Sequence, residues 1–471
     1  MHTPLCILGA GPGGYAAAFL AADLGMNVTL VDLEARLGGV CLLRGCIPSK
    51  ALLHVARTIA EAKQLGEWGV AFPTPNVDLD VLRSRKEKVI AALTGGLKQL
   101  AAKRKVQTVR AKAVFENSQT LRLQSVDGQP LADDRIEFDR CIVAVGSSPA
   151  RIPAFDLPTP RVMDSTGALE LSDAPKSLLI VGGGYIGLEM GDVYAALGSR
   201  VTVVEATDGL LPGVDRDLVR PLQRRLQARF EAVHLNTKVA SLVDCGDSVE
   251  ATFDGDVPEK VRRFDRVLLC VGRKPNTAGL GLERTGVELD AQGFLRVDPQ
   301  RRTADPHIWA IGDAAGQPML AHKAAHEGKI AVWALAGQTV AFEPRAIPAV
   351  VFTDPEIAWA GLTETDARRQ NRSVDVAVFP WAANGRAHAV GRTEGLTKWL
   401  VDPSSGELLG CGIVGPGAGD LIGEAVLAIE RRCTAEQMAD AIHPHPTLTE
   451  TLGAAAEVQL GVATDLYRPK K

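Results

Sequence analysis

One pattern, met twice at a fixed separation, restricts this chain more than any other feature. LCILGAGPGG reads as a buried strand running into G-x-G-x-x-G at Gly9, Gly11 and Gly14; the helical run YAAAFLAADLG comes next, then a second strand, VTLVD, ending at Asp32. The order returns in LLIVGGGYIGLEMGDVYAALGSRVTVVE, where Gly182, Gly184, Gly187 and Glu205 each stand 173 positions after their counterparts. Glycines at a strand-to-helix turn let the backbone approach a pyrophosphate, whose charge meets free N–H groups and the positive end of the helix dipole. The acid closing the second strand accepts from a ribose hydroxyl. Tight turns without a ligand would not need glycines and acid repeated at one offset, so two βαβ units and two dinucleotides are expected. Glu205 is followed by Ala206 and Thr207, with no arginine for a 2′-phosphate, which points to NAD at the second site.

With 471 residues the chain exceeds what one core supports, and about three domains are expected. Apolar residues make up 46% and charged residues 23%, the balance of an ordinary globular protein. Fifty-two basic against 56 acidic side chains give a net charge of −4, and the basic clusters at RSRKEK and KRK are short and scattered. Neither a nucleic-acid nor a membrane-surface partner is expected from that distribution. No uninterrupted apolar run approaches the ~18 residues of a membrane span. MHTPLCILGAGPGG enters a strand after four residues and leaves no room for a signal peptide, so a cytoplasmic location is expected.

GGVCLLRGCIPSK, residues 38–50, sets Cys41 and Cys46 five positions apart. On an ideal helix their Cα atoms would lie roughly 8 to 9 Å apart, beyond the ~7 Å reach of a disulfide. Gly45 and Pro48 allow a distorted segment that could close the bridge, and a bond made that way would be reducible. Two buried thiols that never pair are the other reading. A zinc site lacks further clustered Cys or His ligands, and no metal is expected. The other six cysteines (Cys6, Cys141, Cys245, Cys270, Cys411, Cys433) read as small buried hydrophobes, and His54 as a surface or packing residue. In IHPHPTLTET, His443 and His445 flank Pro444 and the run ends at Glu450. An imidazole oriented by a carboxylate could take and return a thiol proton; a rigid proline-rich turn with a surface histidine reads equally well here.

These segments carry a resemblance. Gly38–Lys50 resembles GGTCLNVGCIPSK of the dihydrolipoamide dehydrogenases, a group of flavoprotein disulfide oxidoreductases, and HPTLTE at 445–450 resembles their HPTLSE. IVAVGSSPARIP (142–153), VGRKPNT (271–277), AIGDAAGQPMLAHKAAHEG (310–328) and VVFTDPEIAWAGLTE (350–364) are similar to further segments of that family, so the match runs along nearly the whole chain. The resemblance implies an α/β fold of two Rossmann-like dinucleotide-binding domains plus an α+β C-terminal dimerisation domain. Its divisions would be an FAD-binding domain (1–149), an NAD-binding domain (150–277), a central domain completing the FAD site (278–346) and an interface domain (347–471) forming a homodimer.

It also implies roles. Cys41 would exchange with substrate, Cys46 would lie against the flavin, and His445 from the partner chain, oriented by Glu450, would be the base. Lys50 and Glu189 would pair beside the flavin, although an ordinary surface pair is the bland reading. Tyr185 would cover the nicotinamide pocket, or be a packing aromatic, and Asp313 would bind the ribityl chain. Gly146 and Gly272 would belong to the cofactor loops. The implied reaction is oxidation of dihydrolipoyl groups through the Cys41–Cys46 disulfide and FAD to NAD, for a 2-oxo acid dehydrogenase complex or glycine-cleavage components. Val40, Leu43, Arg44, Val145, Tyr185 and Pro444 depart from the family's pattern; none removes a reacting group. Rivals are a related NAD(P)H-dependent reductase of another disulfide and a flavin-containing docking protein. Glutathione reductase lacks support without basic residues after Glu205, and mercuric reductase requires C-terminal cysteines that GVATDLYRPKK lacks.

Overall fold

The computed structural model describes residues 1–467, so the last four positions of the segment expected to end at 471 lie outside it. The chain opens with β1 (His2–Leu8), α1 (Pro12–Asp23) and β2 (Val28–Asp32), the first βαβ unit. Next come α2 (Gly39–Arg44), α3 (Cys46–Gln64) and α4 (Leu79–Lys103), then β3 (Gln107–Arg110), β4 (Lys112–Asn117), β5 (Thr120–Gln124) and β6 (Arg135–Val143). These strands make one sheet ordered β3-β2-β1-β6-β5-β4, parallel from β3 to β6. Its central strand β1 ends in the fully covered run Leu5–Leu8, as strands with helices on both faces require.

β7 (Ser147–Pro149), β8 (Val162–Met163) and α5 (Ser165–Glu170) lead to the second unit, β9 (Ser177–Val181), α6 (Tyr185–Ala196) and β10 (Arg200–Val204). α7 (Arg216–Arg229), β11 (Ala232–His234), the meander β12 (Lys238–Asp244), β13 (Val249–Asp254) and β14 (Val261–Phe264), and β15 (Arg266–Leu269) complete it. Here the parallel order is β11-β10-β9-β15-β8. Ligands in such sheets bind beyond the carboxyl ends of the strands, where the order reverses, which is where both glycine loops lie. β16 (Arg273–Pro275) pairs with β7 and ties the chain leaving the second sheet to the chain that entered it.

β17 (Ile308–Ala310) returns to the first sheet by pairing with β6, and α8 (Ala321–Leu335) packs on α1. Glycine permits that packing: a Cβ at Gly328 would stand 2.7 Å from the Gly13 carbonyl oxygen. The remaining elements are β18 (Ala349–Val351), β19 (Glu356–Gly361), α9 (Glu364–Arg369), β20 (Asp375–Pro380), α10 (Gly385–Ala389), β21 (Leu396–Val401), β22 (Leu408–Gly415), α11 (Ala418–Glu430), α12 (Ala435–Ala439) and α13 (Glu450–Leu460). Their strands form an antiparallel sheet, β18-β19-β22-β21-β20. Val351, Ile357 and Val414 of that sheet share an apolar cluster with Leu52 of α3, Leu188 of α6 and Leu218 of α7, so the core runs through all three regions.

Candidate active site

The two glycine loops have the same geometry. Gly9 and Gly182 hold φ of +109° and +108°, and a Cβ there would stand 2.3 Å from the Ala144 oxygen or 2.4 Å from the Cys270 oxygen. At Gly14 and Gly187 the added atom would meet the Gly9 and Gly182 oxygens at 1.7 and 2.5 Å, so these glycines let helix sit on strand. Gly11 and Gly184 differ: nothing stands within 3.9 Å of a Cβ at the first, nor within 4 Å at the second, and each lines a cavity. Each is the N-cap of its helix with no side chain capping it, which leaves the first-turn N–H groups to a ligand. Packing thus explains the outer glycines, and only an approaching group explains the middle one.

The acids close the same loops. Asp32 accepts from Ala10 N at 2.5 Å and Glu34 N at 2.7 Å; Glu205 accepts from Gly183 N at 2.7 Å and from both the backbone and hydroxyl of Thr207 at 2.8 Å. Burial raises the Asp32 carboxyl above its usual range, against the pull of those two N–H groups. The cavities measure about 550 and 810 Å³, the size of cofactor sites. Tyr185 and Arg273 line both. These features suit FAD in the first and a nicotinamide dinucleotide in the second.

Cys41 and Cys46 fall on the wall of the first cavity, on either side of the break the sequence led one to expect. Gly45 interrupts the helix, and a Cβ there would lie 2.8 Å from the Val40 oxygen, so no larger residue fits the kink. Both are free thiols sharing a hydrogen bond. That bond, donated by Cys41, pulls Cys46 down to about 7 against the opposing effect of burial, with Lys50 helping; the same bond pushes Cys41 well up. Cys46 is also the first residue of the 19-residue α3, at the positive end of its dipole. The α3 N-terminus and Lys50 thus both favour the thiolate form of Cys46.

Lys50 Nζ lies 2.8 and 3.1 Å from the Glu189 carboxylate and 4.4 Å from the centre of the Phe352 ring. Glu189 is buried, so this is no surface pair. Gly146, at φ +69°, and Asp313 line the first cavity; Asp313 accepts from the Ser147 hydroxyl at 2.5 Å, and Arg273 donates to the same hydroxyl at 2.8 Å. Gly272, at φ +111°, lines the second. Glu327, fully buried between Lys323 and Arg301, accepts from Gly312 N at 2.6 Å and fixes the turn carrying Asp313.

His445 is not brought to these groups within the chain. Its Nδ1 pairs with Glu450 Oε1 at 2.7 Å, Glu450 Oε2 accepts from Thr447 N at 2.6 Å, and the ring is 78% exposed and lines neither cavity. The ring is oriented but faces outward. His443 is anchored instead on Glu424 at 2.9 Å, and His54 is exposed on α3.

One expectation needs correction. Cys6, Cys141 and Cys411 are buried, but Cys270 and Cys433 are half-buried and Cys245 is exposed, because it sits in the β12–β13 turn. Gly39–Trp68 has, among the described residues, the length and mean hydropathy of a membrane span, but it is not an uninterrupted apolar run. Arg44 and Lys50 interrupt it in the sequence, and the fold breaks it at Gly45. The residues that sequence reasoning missed are Ser147, Arg273, Phe352 and Glu327, all within the family-like segments, together with Glu34, which pairs with Arg44 at 2.6 Å on the first cavity's wall.

The family described as pyridine nucleotide-disulphide oxidoreductase matches residues 3–328, and its dimerisation domain matches 347–456. A protein named dihydrolipoyl dehydrogenase from Haemophilus influenzae is 47% identical over 470 residues, covering 100% of this chain and 98% of its own; one from Geobacillus stearothermophilus is 42% identical over 98% and 97%. Among solved structures, LpdA from Mycobacterium tuberculosis superposes with a TM-score of 0.88 at 29% identity, covering 97% of this chain and 99% of that one. The HOCl-induced flavoprotein disulfide reductase RclA from Escherichia coli does so at 0.83 and 27%, over 95% and 98%.

Proposed function

The chain belongs to the pyridine nucleotide-disulphide oxidoreductase family, and from that premise we propose that it is an enzyme oxidising dihydrolipoyl groups to lipoyl disulfide with NAD as final acceptor. The observation that carries the reading is the Cys41–Gly45–Cys46 kink, set with the Lys50–Glu189 pair on the wall of a cavity that begins at the first glycine loop. Gly9, Gly11, Asp32, Gly146 and Asp313 would hold FAD, which would supply the two-electron chemistry that reoxidises the cysteines, and Gly182, Gly184, Glu205 and Gly272 would hold NAD as the final hydride acceptor.

The protein's own part is thiol exchange. A dihydrolipoyl thiolate attacks Cys41 Sγ of the Cys41–Cys46 disulfide; the sulfur–sulfur bond breaks and the electron pair stays on Cys46 as a thiolate. Lys50 and the α3 N-terminus stabilise that charge. The second substrate thiol gives its proton to His445 Nε2, the imidazole being oriented and its charge balanced by Glu450. The resulting thiolate attacks the first substrate sulfur, lipoyl disulfide leaves, and Cys41 departs with a proton. Because His445 faces outward in its own chain, it serves the cavity of a partner chain, and the homodimer is the working unit. Tyr185, lining both cavities, covers the nicotinamide pocket.

The domain division at 149, 277 and 346 belongs to the same proposal, as do a cytoplasmic location, where thiols stay reduced, and service to a 2-oxo acid dehydrogenase complex or glycine-cleavage components. The first test compares initial rates of NAD reduction by dihydrolipoamide and of NADH-driven reduction of glutathione disulfide on the FAD-loaded protein. Fast turnover in the first and negligible turnover in the second is expected. Failure of both with FAD bound would overturn the substrate assignment.

A further inference from the structure

Glu189 and Asp192 lie one turn apart on α6 and act on the same neighbour. Glu189 Oε1 accepts from Phe352 N and Asp192 Oδ2 from Asp354 N, each at 3.0 Å. Both acids are buried, with 3% and 2% of their surface exposed. Residues 352 and 354 are alternate positions of the segment joining β18 to β19, so two bonds on one side fix both its height and its rotation. That segment carries the Phe352 ring beneath Lys50 Nζ, and Lys50 is the cation nearest Cys46 in charge and paired with Glu189.

A packing residue would not need an oxygen acceptor in this place. Arg229 at 3.0 Å, the Asp354 N–H and Arg225 favour the Asp192 carboxylate, while Asp354 engages Arg225 at 2.8 Å and Arg392, which also holds Glu394 at 2.7 Å. Burial pushes Asp192 up to about 6 in spite of Arg229, so the ionised group is held at a cost in free energy. What that cost secures is the acceptor for Asp354 N.

We propose that Asp192 is a positioning residue for the redox pair: by holding the Asp354 N–H it sets Phe352 and Glu189 against Lys50, and through Lys50 it sets the acidity of Cys46. This rests on the reading of Cys46 as the flavin-side thiol. The groups facing Cys46 are Cys41, Lys50, Glu189, Tyr15 and Tyr185, and of these Lys50 and Glu189 depend on the segment that Asp192 holds.

The test is the pH profile of the Cys46 thiolate in reduced, FAD-loaded dimer, read as the long-wavelength absorbance of a thiolate lying against oxidised flavin. Asp192→Ala, and Asp192→Ser as the milder break, should lower the Cys46 thiolate signal at pH 7 by about twofold or more, the change that half a pKa unit produces from a starting value of about 7. Asp192→Asn keeps an acceptor for Asp354 N and should match wild type. If the Ala and Ser variants fold and keep the wild-type profile, or if Asn shifts it as far as Ala, the proposal is overturned. Should Ala not fold, the contrast between Ser and Asn decides alone. Wild-type turnover of dihydrolipoamide is measured separately, and its absence would overturn the proposed function while the Cys46 profile still answers for Asp192.

Discussion

The two glycine-rich sites share a backbone and differ in the segment attached behind their second strand. After β2 the chain passes at once into α2 and α3, whose kink puts Cys41 and Cys46 on the cavity wall. After β10 it passes to α7, whose Arg225 and Arg229 turn away from the cavity to Asp354 and Asp192. One connection brings reactive groups to the ligand; the other brings charges to the interface region. The βαβ unit is a holder for a dinucleotide, and the chemistry is added by the segment spliced in behind it.

The largest expected effect breaks that comparison at its thiol. Cys46→Ser should lower NAD reduction by dihydrolipoamide at least about 10³-fold while FAD content, read from the visible absorbance, stays at wild type. Retained turnover would mean that the segment after β2 is no more reactive than its counterpart after β10.

The paired glycines sharpen it next. Gly14→Ala forces a Cβ to 1.7 Å from the Gly9 oxygen and should yield protein without yellow colour. Gly187→Ala meets the Gly182 oxygen at 2.5 Å and should stay yellow with its NAD KM raised roughly 10-fold to 100-fold, the scale of overpacking by 1 to 3 kcal/mol. Loss of FAD from both variants would show that the two sites are not separate. A smaller change is expected from Glu205→Gln, which removes the charge that repels a 2′-phosphate: the ratio of kcat/KM for NAD over NADP should fall about tenfold.

The smallest effect concerns pH. Cys46 is held down to about 7, so its thiolate is present above that pH and is lost as pH falls through it. Lys50→Met removes one of the causes of that lowering, and the Cys46 thiolate absorbance against oxidised flavin at pH 7 should fall about threefold to tenfold. An unchanged signal would assign the lowering to Cys41 and the α3 dipole alone.

How much of this was legible depends on how local each signal is. The glycine loops, Asp32 and Glu205 are read within thirty-residue units, because the turn, the helix start and the ribose acid share one βαβ module. The Gly45 break was readable from spacing, since an ideal helix could not carry the pair. The outward face of His445 followed only from the resemblance, which assigned the ring to the partner chain: ten residues of sequence by themselves show that Glu450 can orient the ring but not which chain it serves. Asp192 was invisible for a different reason. Its partners are the N–H of a residue 162 positions further on and an arginine on α7, and a backbone donor leaves no mark on the sequence. The exposed Cys245 was misread because a thiol in a two-stranded turn looks, by composition, like one in a strand.

The Lys50–Glu189 pair joins α3, which carries the thiolate, to α6, whose first turn opens the second cavity. Glu189 lines the first cavity and not the second, so a ligand in the second would alter the field at Cys46 only by shifting α6. Linkage then runs both ways: the factor by which bound nicotinamide dinucleotide favours the thiolate is the factor by which the thiolate tightens the dinucleotide. In a two-electron catalyst wired in this way, such a coupling would make the affinity for NAD a reading of how many electrons the cysteines hold.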